Sequence, residues 1–402
     1  MKAIATILLL AFLASCSNHS VTISGNKPNP GTIAHTKYNV PISGIYNLSP
    51  ESALRQSLTR CDSALSLAML QFLEGEYDES KKNLEVLRKS TICDSNITDF
   101  ANVLFQDIPQ ADMVSVVRSP RNDHDCDTLP IKMQGGLVTL TVVINGKEYC
   151  FLFDTGAQRS MIYNNVLSSF GSDVANITVS RKNVYDLHNE AKEYSIINLP
   201  MMKIGNYEIR NIQLFGDSSR DEYKVSNLLV FNILSIDGII GWDIIKKLHW
   251  EIDSQRKILI ASHKGGPAKQ EPKQRTISWI YHPIVYLRDA DGFKYSFLLD
   301  LGASNSVFYP IFCARFGIDV EGLSRISEKT SGINSSKRTE GYRIDNILLV
   351  QNNYELLFRN TFSPVSNAGG AFIYDGVLGA DCYQAGKVVI DFPNGVFSIL
   401  PF

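Results

Sequence analysis

The sequence predicts a mainly β protein in which two homologous β lobes follow a small α-helical N-terminal region. Three observations carry this expectation. Runs rich in Val, Ile, Tyr and Phe, punctuated by Gly-bearing turns, dominate from about residue 129 onward. Helical spacing of apolar residues is confined to the stretch between Ser49 and about Val117. Two ordered blocks of sequence recur at nearly equal offsets within the strand-rich part.

The 402 residues can hold two or three domains, and 44% hydrophobic with 20% charged content is that of a globular chain. A formal charge of −2 and the lack of a dense Lys/Arg stripe exclude a nucleic-acid-binding surface. The first sixteen residues stand apart. Lys2 gives a positive start, Ala3 to Phe12 form a short apolar run, and Leu13-Ala14-Ser15 bring small residues up to Cys16. The run is shorter than the ~20 residues that span a bilayer. The segment resembles a bacterial lipoprotein signal, which implies a signal peptide (1–16) ending at a lipidated Cys16. The implied partner is a membrane, reached through the lipid, and the implied location is the bacterial cell envelope. Ser17, where an Asp is lacking, leans toward the outer membrane. Residues 17–44, rich in Ser, Asn, Pro, Gly and Thr, read as a tether.

Residues 45–128 are expected to be helical. Ser49-Pro50-Glu51 is a helix start, and Leu54, Leu58, Leu65, Ala68, Met69 and Phe72 recur at helical spacing. Ser66 to Leu87 resembles one tetratricopeptide-type hairpin, with Gly75 and Tyr77 at its turn and Leu84 and Leu87 on its second helix. A single unit of that kind cannot bury its own face, so it should pack on the main body. A peptide-binding array and a small helical cap are both open readings. Arg118 to Pro130 reads as a polar linker. With Cys16 lipidated, six cysteines remain; Cys61 and Cys93 share the helical region and could pair, and Cys150 reads as a buried free thiol.

The repeat sets the organisation of the rest. "NGKEYCFLFDTGAQRSMIY" at 145–163 aligns without gaps to "DGFKYSFLLDLGASNSVFY" at 291–309, an offset of 300 − 154 = 146. "DGIIGWD" at 237–243 aligns to "DGVLGAD" at 375–381, an offset of 379 − 241 = 138. Two copies of one unit are therefore expected, at 129–263 and 276–402, joined by the Gly/Pro-containing linker "HKGGPAKQEPKQ". In each copy a hairpin turn leads into an apolar strand that ends on an aspartate, followed by a tight Gly turn. A carboxylate at the end of a buried strand is costly unless hydrogen-bonded or functional. The later blocks Ile239-Ile240-Gly241 and Val377-Leu378-Gly379 can supply a strand that packs beneath that turn.

Asp154-Thr155-Gly156-Ala157 and Asp300-Leu301-Gly302-Ala303, each followed by apolar-apolar-Gly, resemble the pepsin and retropepsin class of aspartic peptidases. The likeness is to bacterial retropepsin-like proteins carrying both lobes in one chain. It implies a catalytic pair, Asp154 and Asp300, facing each other across a shared water and holding one proton between them. It also implies a polypeptide substrate bound as an added strand, and a monomer in which one chain supplies both lobes. A dyad and a water need no cofactor and no metal. Hairpin flaps are implied near Tyr185 to Glu193 and near Ser331-Gly332-Ile333-Asn334. Ala157 and Ala303, where pepsins carry Ser or Thr, offer the dyad fewer hydrogen bonds and imply a less acidic optimum than pepsin's.

Leu301 departs from that pattern. The family has Thr or Ser there, and Thr155 keeps the hydroxyl in the first lobe only. Two further readings therefore stand beside the peptidase: a catalytically weakened or inactive peptide-binding module, and a scaffold dominated by the helical hairpin. Asp237 and Asp375 read as structural strand-end residues, and Trp242, Trp250 and Trp279 as core or lobe-interface residues. His124, His188, His249 and His282 show no metal-ligand spacing, and no nucleophile-elbow or phosphate-cradling motif is present.

Overall fold

The computed structural model describes residues 59–74, 76–107, 114–118, 126–173, 177–185, 191–226, 233–263, 275–280, 282–320, 322–331, 335–352, 354–366 and 374–402. The signal segment with Cys16, the tether and the helix start at Ser49-Pro50-Glu51 lie outside these residues.

The helical region has three helices where the sequence pattern predicts one hairpin: α1 (Arg60–Glu74), α2 (Tyr77–Arg88) and α3 (Ser95–Asp107). Thr59 and Asp62 cap α1 reciprocally. The Thr59 N–H donates to Asp62 Oδ2 at 3.0 Å, and the Asp62 N–H donates to Thr59 Oγ1 at 3.1 Å. Leu65, Ala68, Met69 and Phe72 of α1 face Leu84 and Leu87 of α2, while Ile97, Ala101 and Leu104 of α3 close the third side. The Cys61–Cys93 disulfide forms, with 5.7 Å between its Cα atoms. The remaining apolar face packs on the main body, since Ile284 and Tyr286 join the same cluster and Phe72 stacks on Trp279 at 5.4 Å.

The β architecture starts earlier than the sequence pattern predicts. β1 (Ser115–Arg118) and β2 (Cys126–Pro130) replace the end of the expected helical region and the expected linker. β1 is only four residues long and half exposed, and its register is supplied by distant residues such as Ile209, opposite Val116. Its two valines favour a strand, but so short a run is fixed as one only by that partner. The first lobe continues through β3 (Lys132–Gln134), β4 (Leu137–Ile144), β5 (Lys147–Phe153), β6 (Met161–Tyr163), β7 (Thr178–Tyr185), β8 (Ala191–Ile204), β9 (Tyr207–Asp217), β10 (Tyr223–Ser226), β11 (Ile233–Ile236) and β12 (Gly238–Ile240). Its main sheet runs β1-β9-β6-β12-β5-β4-β8-β7, and an extra β9–β8 pairing closes it on itself. The β4–β5 turn holds Asn145 and Gly146 at φ 51° and 77°, the primed geometry that suits a two-residue hairpin.

β13 (His249–Asp253) and β14 (Ile258–Ser262) end the first lobe. The second contains β15 (Ile277–Ile280), β16 (His282–Arg288), β17 (Lys294–Leu299), β18 (Val307–Phe308), β19 (Arg325–Ser331), β20 (Ser336–Ile344), β21 (Ile347–Gln351), β22 (Tyr354–Phe358), β23 (Thr361–Pro364), β24 (Gly376–Leu378), β25 (Lys387–Asp391) and β26 (Val396–Leu400). Its sheet repeats the central arrangement as β18-β24-β17-β16. The lobes are fused through a five-stranded sheet, β2-β14-β13-β25-β26, in which Trp250 of the first lobe pairs with Ile390 of the second. Trp242 meets Phe392 edge-on across the same junction at 5.2 Å, and one hydrophobic cluster runs through both lobes. Trp242 and Trp250 are thus junction and core residues, while Trp279 mediates helical docking.

The disulfide closes a loop of 32 residues, for which chain entropy gives about 3–4 kcal/mol. Replacing Cys61 and Cys93 together by Ser is expected to loosen α1–α3 while leaving the β lobes folded. Native-state hydrogen exchange should show faster exchange confined to the helices; uniform protection would refute this local role.

Candidate active site

Each candidate aspartate leaves a strand clamped on both sides. β12 lies parallel to β5, with Leu152 opposite Ile239 and Phe153 opposite Ile240, and β6 pairs with its other edge. The Asp154 N–H then donates to the Ile240 carbonyl at 3.0 Å, and the Trp242 N–H to the Ala157 carbonyl at 2.7 Å. The second lobe repeats this. β24 lies parallel to β17, the Asp300 N–H donates to Leu378 at 3.0 Å, and the Ala380 N–H to Ala303 at 2.8 Å. The two apolar-apolar-Gly blocks therefore do pack beside the aspartate turns.

The structure brings Asp154 and Asp300 face to face, each carboxyl lying over the glycine turn of the other lobe. Asp154 Oδ1 accepts from the N–H groups of Gly156 (2.8 Å) and Ala157 (3.1 Å). Asp300 Oδ1 accepts from those of Gly302 (3.0 Å) and Ala303 (3.2 Å). Alanine at 157 and 303 supplies no hydroxyl beyond these backbone donors. The glycines serve the opposite lobe. A Cβ on Gly156 would lie 2.4 Å from Cγ of Asp300, and one on Gly302 would lie 2.4 Å from Cγ of Asp154. Both aspartates keep partial exposure, yet protein atoms crowd the carboxyls. Burial raises both above the usual carboxylate range, and for Asp154 the neighbouring Asp300 charge adds to it.

Beneath the dyad, Thr155 and Leu301 are both fully buried. Thr155 Oγ1 donates to the Leu299 carbonyl at 2.8 Å and accepts from the Leu301 N–H at 2.8 Å. Both bonds cross between the lobes. Leu301 has no hydroxyl to return them, and its side chain joins the core instead. A Thr or Ser at 301 would make the bridge reciprocal; with Leu301 the bridge is built from Thr155 alone, and that half is intact.

Several supporting residues escape the sequence reading. Ser160 Oγ donates to Asp243 Oδ1 at 2.7 Å and accepts from the Gly241 N–H at 2.9 Å. Ser306, Asp381 and Gly379 repeat this at 2.6 and 2.9 Å. These latches tie each aspartate turn to the strand block beside it. Both Ser and Asp recur at the repeat offsets, which is the signal that could have found them. Asp237 and Asp375 are structural: Asp237 accepts from the Cys150 N–H (2.7 Å) and Asn165, Asp375 from the Ser296 N–H (2.7 Å) and Arg315. His282 reaches across the lobes to Gln158, 3.4 Å away, and burial lowers its pKa to about 4. β7–β8 and β19–β20 are antiparallel hairpins at the two expected flap positions. Their tips, 186–190 and 332–334, lie outside the described residues.

Residues 140–244, which span the first aspartate turn and its strand block, match the sequence model of the aspartyl protease family. The match covers most of the first lobe. The second lobe repeats the turn, the parallel strand and the Ser–Asp latch of the first. Among solved structures, the chain is similar to a retropepsin-like aspartic protease from Rickettsia conorii. That likeness has 16% identity and a TM-score of 0.25, covering 37% of this chain and 93% of the other. It is also similar to an aspartic proteinase from Irpex lacteus, with 11% identity and a TM-score of 0.38, covering 67% of this chain and 95% of the other. No curated protein sequence matches the chain.

Thr155→Val is expected to orphan the buried Leu301 N–H and cost about 1–3 kcal/mol. Chemical denaturation would register this as a lower midpoint. An unchanged midpoint would mean that the hydroxyl does not hold the lobes.

Proposed function

We propose that the protein is an aspartic endopeptidase in which Asp154 and Asp300 share one proton and activate a water between them. The observation that carries this reading is the mutual fit of the two carboxyls. Each has Oδ1 occupied by two backbone N–H groups, which leaves the pair able to hold a water on the cleft side. The ionised partner takes a proton from the water as the oxygen attacks the scissile carbonyl. The protonated partner donates to that carbonyl oxygen; as the C–N bond of the resulting diol breaks, the proton gained passes to the leaving amine and a diol hydroxyl proton returns to the other aspartate. Neither aspartate is assigned a fixed part, because the proton belongs to the pair. An extended peptide between the lobes, covered by the β7–β8 and β19–β20 hairpins, fits this reading.

The leading sequence, with Cys16 as its lipid-bearing residue, supports tethering of this enzyme at the envelope membrane. No helix among the described residues is long and apolar enough to cross a membrane.

Leu301 favours a second reading, a peptide-binding module with little or no turnover. The two intact Thr155 bonds across the lobes weigh against it, since they fix the turn from one side. A peptide-library digest separates the two. Asp154→Asn and Asp300→Asn should each lower kcat at least about a hundredfold. Residual cleavage equal to wild type would overturn the peptidase assignment. A rise in kcat for Leu301→Thr would mark Leu301 as an attenuator.

The raised carboxyls also set the pH response. One proton must remain on the pair, so activity should be bell-shaped, with a maximum less acidic than pepsin's. A pH–rate maximum below about pH 3 would contradict this. Stability follows with a definite sign. A carboxyl whose pKa is higher folded than unfolded stabilises the fold while protonated, and that contribution is lost as pH rises through the folded value. Asp300→Asn should therefore raise the Tm above the ordinary carboxylate range and make no difference in strong acid. A Tm gain that is independent of pH would refute this.

A further inference from the structure

The internal repeat lets each lobe serve as the control for the other, and the two cleft faces differ. In the first lobe Leu152, Ile239 and Met161 form one row across β5, β12 and β6. Leu152 lies two residues before Asp154, on the strand face that carries the carboxyl. Leu298, Val377 and Val307 form the equivalent row across β17, β24 and β18, on the Asp300 side. Tyr163 and Tyr309 extend the two rows at the same offset.

All four first-lobe residues are buried, whereas all four second-lobe residues keep partial exposure. The cause is visible in the packing. Ile236 of the β10–β11 hairpin, Tyr194 of β8 and partly buried Tyr223 pack into one cluster with Leu152, Met161 and Ile239. The chain from Asp154 to Gly241 is 241 − 154 = 87 residues, against 379 − 300 = 79 in the second lobe. Among the described residues, the second lobe shows no hairpin equivalent to β10–β11. Its row is also smaller, with Val307 for Met161 and Val377 for Ile239.

We propose that the cleft has a single open apolar subsite, formed by Leu298, Val307, Val377 and Tyr309 beside Asp300, and that its first-lobe counterpart is filled by the protein's own Ile236 and Tyr194. The occupant is one large apolar side chain of the polypeptide substrate, placed on one side of the scissile bond. The other side takes only small residues. This rests on the peptidase reading for its substrate, but the asymmetry stands on burial and register. Leu298 lies two residues before Asp300 on the same strand face and opposite Val377, which puts the subsite beside that carboxyl.

The test is a digest of a peptide library randomised on both sides of the cut, with the products sequenced. Wild type should require a large apolar residue on one side and accept small residues on the other. Val307→Met with Val377→Ile, which copies the first-lobe row, should weaken the apolar preference about tenfold, the scale of a misfit methylene. Ile236→Ala should admit larger residues on the opposite side. Equal apolar preference on both sides, or an unchanged preference in Val307→Met/Val377→Ile, would overturn the proposal. If wild type cuts nothing, the same library selected for binding to Asp154→Asn reads the subsite without chemistry. Selection of one large apolar residue then upholds the subsite while the peptidase reading falls, and no selection refutes both.

Discussion

The fold depends on one mutual fit: each lobe leaves, at a glycine, the space that the other lobe's carboxyl occupies. Because a methyl at 156 or 302 would lie 2.4 Å from the opposing carboxyl carbon, neither turn is complete alone. Holding two acids so close opposes folding once both ionise, so relative lobe position must be secured elsewhere. The five-stranded sheet shared through β13 and β25, the Trp242–Phe392 contact and the continuous core secure it at the base. The two Thr155 hydrogen bonds secure it directly beneath the acids. Within each lobe the Ser–Asp latch fixes the turn to its neighbouring strand, so that lobe position becomes carboxyl position.

Duplication explains why this scaffold is shared, and divergence shows where the two halves are free to differ. The backbone bonds that tie each aspartate turn to its strand block recur in both lobes. The acids ahead of the strand blocks keep their role with different partners, Asn165 for Asp237 and Arg315 for Asp375. The second case needs a charge. Asp375 is fully buried, and a guanidinium beside it offsets the desolvation that raises its pKa. Asp237 is partly exposed and is served by a neutral amide. At the hydroxyl under the dyad the halves part completely, with Thr155 polar and Leu301 apolar, because one hydroxyl can bridge to both backbone groups opposite it.

The repeat, the two equivalent aspartates and the strands beside them are legible in the sequence because they are local patterns that occur twice. Asp154 and Asp300 stand at one offset with their glycines, so their equivalence needs no knowledge of the fold. What stays hidden is non-local. β1 is a strand only because β9 lies beside it, and β2 joins the shared sheet through β14. The reach of His282 to Gln158 spans 124 positions and two lobes. The missing hydroxyl at Leu301 is legible, but its consequence is not. Whether one Thr can bridge alone depends on the distance between lobes, which only the packed structure supplies.

The helical region gains a meaning from the same comparison. Both lobes carry an apolar row running away from the acid, and covering such a row removes apolar surface from water. In the first lobe the β10–β11 hairpin and β8 provide it. In the second lobe Leu298 pairs with Ile284, and Ile284 and Tyr286 are buried in the core of α1–α3, with Tyr374 packed against it. The helices thus cover the far end of the row whose near end lies open beside Asp300. A segment that only lay against the second lobe could leave without exposing its interior. Removal of α1–α3 would uncover Ile284, Tyr286 and the face of Trp279 that Phe72 stacks on, next to the cleft. The helical region is therefore a wall of the second lobe, and the lobe's cleft face is complete only with it in place.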